Sequence, residues 1–133
     1  MEKVLEGGMQ GMVEFQSLLR VSNEKSLNRL TSRIVRIFPL QLGEAKSQRY
    51  WKDEKLQDVR IPILFEPGIT PGDMLCRLLA AAWSLGGPWT VLSVGEPFAP
   101  GWEFVAIADA RNADIVVPGL EWARISLILD TPE

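Results

Sequence analysis

Histidine is absent from all 133 residues, and that removes Ser-His-Asp and Cys-His nucleophile activation, imidazole proton transfer and the usual zinc sites. The remaining nucleophile is Cys76, the single cysteine. It stands in an apolar helical stretch with only Arg77 as a cationic neighbour, where a cysteine is expected to behave as a small buried hydrophobe. One cysteine cannot form an internal disulfide, which fits a reducing cytosol. No Gly-rich phosphate loop occurs, because Gly86-Gly87-Pro88 follows a helix instead of opening one. Acids are the last catalytic option: Glu103, Asp109, Asp114, Glu121 and Asp130 populate the C-terminal third. Paired carboxylates can run acid–base chemistry or hold a hard cation. Their spacing here matches no metal loop, and the plain alternative is solvated acids at strand ends and turns. The expectation is a chain that is not an enzyme and uses no cofactor or metal.

Binding chemistry is better represented. The net charge of −3 opposes non-specific contact with nucleic acid, and acids on the exposed side of the C-terminal strands would present a negative surface to a basic protein partner. Five tryptophans stand at positions 51, 83, 89, 102 and 122. Trp83 falls on a helix face, and Trp89, Trp102 and Trp122 each open a strand, so packing at the core and its rim accounts for them. Trp51 differs, since it follows Tyr50 inside the charged run from Gly43 to Lys55. Aromatics among Arg and Lys are what interface anchors are made of, although a pair folded back over the core edge is the competing expectation. The nominated partner-binding residues are therefore Trp51, Asp109, Asp114 and Glu121. Lys25, Arg29, Arg33 and Arg36 line one helix face, which reads as a solvated face or as a surface for phosphate or acid.

These groups need elements to hold them. Thr70 as N-cap, Pro71 at the first helical position and Asp73 near the positive helix end start a helix. Met74, Leu75, Leu78, Leu79, Ala82 and Trp83 form its expected apolar face, and Gly86-Gly87-Pro88 stops it. The segment from Trp89 to Val94 then reads as a core strand. Upstream, Val13, Phe15, Ser17, Leu19 and Val21 alternate with Glu14, Gln16, Leu18 and Arg20 as a half-buried strand. Ser22 and Asn23 can cap a helix over about Glu24 to Ile37, which Pro39 ends. Pro39 to Asp58 reads as a long polar loop. Val59, Ile61, Ile63 and Phe65 give a second strand, which Pro62 assigns to a sheet edge or a bulge. Trp102 to Ala108 and Trp122 to Leu129 add two more, most simply as an antiparallel meander. The predicted fold is α+β: a mixed, mostly antiparallel sheet of about five strands with two helices packed on one face.

A chain with 47% hydrophobic and 23% charged residues is an ordinary globular composition, and 133 residues make one domain with a real core, preceded by a loose N-terminus over residues 1–12. No apolar run approaches the ~20 residues that span a bilayer, so no membrane contact is expected. Met1 to Gly8 carries two acids and no long apolar region, which argues against a secretory signal and for the cytoplasm. In size, acidity and lack of catalytic groups the chain resembles the small immunity proteins of bacterial toxin systems, including contact-dependent growth inhibition. That resemblance implies a cytoplasmic protein that binds a cognate toxin domain and occludes it. Two alternatives stand beside it: a small-molecule-binding or catalytic α+β domain with a pocket between sheet and helices, and a structural subunit pairing through an edge strand. The oligomeric state is open.

Overall fold

The computed structural model describes residues 11–130. In chain order the elements are β1 (Gly11–Arg20), α1 (Glu24–Ile37), β2 (Gln41–Leu42), β3 (Lys46–Arg49), β4 (Leu56–Leu64), α2 (Pro71–Leu85), β5 (Gly86–Gly87), β6 (Thr90–Val94), β7 (Glu103–Asp109), β8 (Asp114–Ile115) and β9 (Leu120–Leu129). The loose N-terminus expected over residues 1–12 lies, for residues 1–10, outside the described residues, while Gly11 and Met12 open β1.

The main sheet has the order β2-β4-β1-β9-β7-β6, with β3 also paired to β4. Every pairing among the described residues is antiparallel, so the sheet is not mixed. The five expected strands correspond to β1, β4, β6, β7 and β9. The main sheet nevertheless has seven strands, because β2 and β3 form within the stretch expected as a polar loop. β5 and β8 make a separate two-stranded ladder after α2. The chain folds as a single α+β domain.

Alternation sorts the side chains. Val13, Phe15 and Leu19 of β1, Val59, Ile61 and Ile63 of β4, Phe104 and Ala106 of β7, and Ala123, Ile125, Leu127 and Leu129 of β9 share one apolar cluster with Ile34 and Phe38 at α1 and with Met74, Leu78, Ala81 and Leu85 of α2. Both helices thus bury their apolar sides against that face of the sheet. Phe15 and Phe38 pack ring to ring at 4.8 Å.

The helix signals act as their chemistry dictates. The Asn23 Oδ1 accepts from the Ser26 backbone N–H at 2.8 Å, and the Thr70 Oγ1 accepts from the Asp73 N–H at 3.1 Å, each satisfying one of the free donors of a first turn. At the far end of α2 the Trp89 indole N–H donates to the carbonyls of Ala82 and Gly86 at 3.1 and 2.9 Å, covering acceptors that the last turn leaves open.

Three expectations about packing are corrected. The buried stripe of α2 is Met74, Leu78, Ala81, Ala82 and Leu85, rotated by about one residue from the expected face, so Leu79 and Trp83 are exposed. Cys76 is likewise exposed. Because α2 is apolar around most of its circumference, two adjacent stripes obey the same three/four spacing and the sheet selects one. Pro62 is not on an edge strand: β4 pairs with β1 on one side and with β2 and β3 on the other. It falls in the gap between β3, which reaches Arg60, and β2, which begins opposite Ile63. A residue with no N–H is tolerated where no neighbour asks for one. Finally, β6 is exposed at all five residues; it ends the sheet and is not a core strand.

Candidate functional site

The face of the sheet turned away from the helices carries no layer of its own. Its side chains lie in cross-strand rows fixed by register. One row runs Asp58, Leu18, Trp122, Asp109; the next runs Arg60, Gln16, Arg124, Ile107, Thr90; a third runs Pro62, Glu14, Ser126, Val105, Leu92. Met12, Ile128, Glu103 and Val94 close the pattern.

Leu18, Trp122 and Asp109 of the first row floor a hollow of about 660 Å³. Leu18, Leu56, Tyr50 and Trp122 give it apolar and aromatic walls, and Arg20, Lys52, Asp109, Arg111 and Glu121 give it charge. A register shift between Leu18 and Leu19 against β9 builds the hollow's corner. Leu18 faces Trp122 while Leu19 faces Leu120, so Glu121 is the extra residue of a β-bulge. Bulges re-aim side chains, and here Glu121 meets Arg20, whose Nε donates to Oε1 at 2.8 Å. Arg20 also reaches Asp53 at 3.8 Å, which ties the Tyr50–Lys55 turn to the end of β1. Opposite, the Arg111 Nη2 donates to Asp109 Oδ2 at 2.7 Å, and the Arg111 backbone N–H donates to Oδ1 at 3.0 Å. The guanidinium, followed by that backbone donor, lowers the Asp109 pKa below the ordinary aspartate value. A carboxylate held ionised in this way is suited to pairing with a cation and poorly suited to giving up a proton.

Of the four nominated residues, the structure brings three together. Asp109 and Glu121 line the hollow. Trp51 stands on the turn between two lining residues, Tyr50 and Lys52, and is 83% exposed. Its ring lies 6.2 Å from that of Tyr50 and 4.9 Å from the Lys52 ammonium, so it does not fold back over the core. Asp114 is apart: it belongs to β8, pairs across to Gly87 after α2, and does not line the hollow. The expected negative surface is corrected as well. Asp109 and Glu121 are each matched by an arginine, and Lys52 adds a further cation, so the hollow is charged but not acidic.

Beside the hollow lies a polar centre. The Gln16 Nε2 donates to the buried Asp58 at 3.1 Å, Arg60 reaches the other Asp58 oxygen at 3.4 Å, and Arg124, across from Gln16, has a buried Nε without a hydrogen-bond partner among the described residues. Buried polar groups are normally satisfied, which makes Arg124 the one donor at the centre of this face left for another molecule or water. The basic face of α1, with Lys25, Arg29, Arg33 and Arg36, is exposed.

Leu18, Trp122 and Arg124 were not among the nominated residues, yet their signal is in the chain. Each alternates out of phase with the residues of its strand that join the apolar cluster under the helices. What the sequence does not display is that the same face of five strands stays uncovered. Among the described residues no group of three or more His, Cys, Asp or Glu side chains is placed to hold a metal ion, and no helix is long and apolar enough to cross a membrane. Comparison with protein-family models, with curated proteins and with solved structures finds no match to this chain.

Proposed function

We propose that this chain is a non-catalytic binding protein that engages a protein partner through the open face of its sheet, and that it serves as a cytoplasmic immunity protein, neutralising a cognate toxin domain by occluding it. One observation carries the proposal: the open face presents a hollow with aromatic walls, ion-paired arginines and a projecting Trp51 at its rim. Exposed aromatics flanked by charge supply desolvated contact area at interfaces, and arginine is enriched there. Trp51 is the anchor, Asp109 and Glu121 orient the partner together with Arg111 and Arg20, and Asp114 sits outside the contact.

The experiment is to express the product of the adjacent gene alone and with this protein, then to measure growth, co-purification and binding kinetics. Trp51→Ala is expected to speed dissociation by about 30-fold, equivalent to about 2 kcal/mol for a hot spot. Reversing Asp109 and Glu121 to Lys together breaks both ion pairs, turns the hollow wholly cationic and is expected to slow association with the partner. A neighbour that is harmless alone and never co-purifies removes the immunity role. A complex that forms and ignores all three substitutions keeps the role and moves the surface.

The volume of the hollow supports a second reading, because ~300–1,000 Å³ is the range of small-ligand sites. Arg20, Lys52 and Arg111 would then select an anionic molecule carrying an apolar body for Tyr50 and Trp122. Quenching of Trp122 fluorescence by such molecules, lost in a Trp122→Phe variant, separates this from protein binding.

A further inference from the structure

The two ends of the sheet are treated differently. One end is guarded: the strands flanking β4 are short, and β3 presents Lys46 and Arg49, the usual means of discouraging another chain from adding on. The other end, β6, reads Thr-Val-Leu-Ser-Val, is exposed throughout, and meets no strand on its outer side among the described residues. No charge occurs from Leu85 to Gly95. Five of the ten exposed large apolar side chains among the described residues collect here: Leu92 and Val94 on the open face, Val91 on the helix face, Phe98 packed in a tilted contact against the Trp102 that bonds to Ser93, and Trp83, whose ring lies over Gly87 just before the strand.

We propose that β6 is a homodimer interface, in which the β6 strands of two copies pair antiparallel across a two-fold axis at Leu92 and join the two sheets into one. A row of outward N–H and C=O groups, left to water in a single copy, is a template on which another strand can pair. The occupant is a second copy because the strand is self-complementary. Centred on Leu92, the pairing sets Leu92 against Leu92 and Thr90 against Val94 on the open face and Val91 against Ser93 on the helix face, so apolar or β-branched residues meet on the open face and no like charges are opposed. Pairing β6 with the β3 edge of another copy would instead be heterologous, would add molecules without closing, and would bring Lys46 and Arg49 to the seam. The two-fold arrangement closes. No residue of β6 lines the hollow, so each copy keeps its open-face site accessible, and the inference stands independently of the proposed function.

Sedimentation equilibrium of the full chain tests this. The wild-type protein is expected to form a concentration-dependent dimer at micromolar concentration. Leu92→Lys opposes two ammonium groups at the axis and weakens the dimer by at least about tenfold, while Leu92→Glu alone does the same. An equimolar mixture of the two variants restores dimerisation, which a misfolded variant could not do. Far-UV circular dichroism of each variant is expected to match the wild type. A wild-type protein monomeric at about 100 µM, higher oligomers without a dimer, a dimer indifferent to Leu92→Lys, or a mixture that stays monomeric each overturns the proposal.

Discussion

Leu78 and Leu79 are adjacent, identical and both within α2, yet the structure assigns them opposite fates. Leu78 is 1% exposed and belongs to the apolar cluster, whereas Leu79 is 42% exposed on the outer side of the helix. Burying a leucine completely is worth about 1.5–3 kcal/mol, and truncation inside a closed core adds the cost of the cavity left behind, so Leu78→Ala is expected to destabilise by about 2–5 kcal/mol. Leu79 loses a partial transfer contribution of about 1 kcal/mol or less and leaves no enclosed void. With a urea slope of about 2 kcal/mol/M, the unfolding midpoint falls by about 1–2.5 M for Leu78→Ala and by under about 0.5 M for Leu79→Ala. Chemical denaturation followed by tryptophan fluorescence and by circular dichroism measures both. Equal losses, or a larger one at Leu79, would mean that α2 is rotated from the orientation described, and Cys76 and Trp83 would then turn inward with it.

The same rotation exposes Cys76, so an aromatic disulfide reagent is expected to label one thiol per native chain without denaturant, and Cys76→Ser to shift stability by less than about 0.5 kcal/mol. Labelling that waits for unfolding refutes its exposure. The ion pair at Asp109 has a pH signature: its folded pKa is lowered by the Arg111 hydrogen bonds, so its stabilisation is present above the unfolded aspartate value of about 3.9 and is lost as pH falls through the folded value. Urea midpoints of wild type and Asp109→Asn are expected to differ slightly near pH 6 and to converge as pH falls below about 4; a constant difference across that range would show that the pair contributes nothing through protonation. The effect is small because Arg111 is exposed and solvent screens the pair.

The parts of this fold that were legible in the sequence are those decided locally. Asn23 and Thr70 cap as their side chains dictate, α1 runs from Glu24 to Ile37 as its periodicity predicts, and the alternation of Val13, Phe15 and Leu19 names the buried side of β1. What was not legible depends on partners. Nothing in the residues of β6 says that it ends the sheet, because a β-branched apolar run suits a core strand and an unguarded edge equally. The gap that accommodates Pro62 exists because β2 and β3 stop on either side of it. For the site, Trp51 was visible as an aromatic among charges, and Asp109 and Glu121 as acids near the C-terminal strands. Their arginines were harder to see. Arg111 follows Asp109 closely, but Arg20 reaches Glu121 from the far end of the sequence and only through the bulge.

The register of β1 with β9 sets Gly11 opposite Leu129, so the first and last described strands are neighbours at the centre of the sheet. Among the described residues β9 also provides the only ladder between the half built from β1 and β4 and the half built from β6 and β7. Without β9 the other strands make two unfinished half-sheets, with the inner edges of β1 and β7 both open. Closing such a distant pairing costs loop entropy before the core gives anything back, which places folding among the slower, high-contact-order domains. The same adjacency means that a short linker could join the two ends of the described chain, and new termini opened in the surface turn at Glu96–Gly101 would let β7 and β9 be synthesised next to β1 instead of a whole domain later.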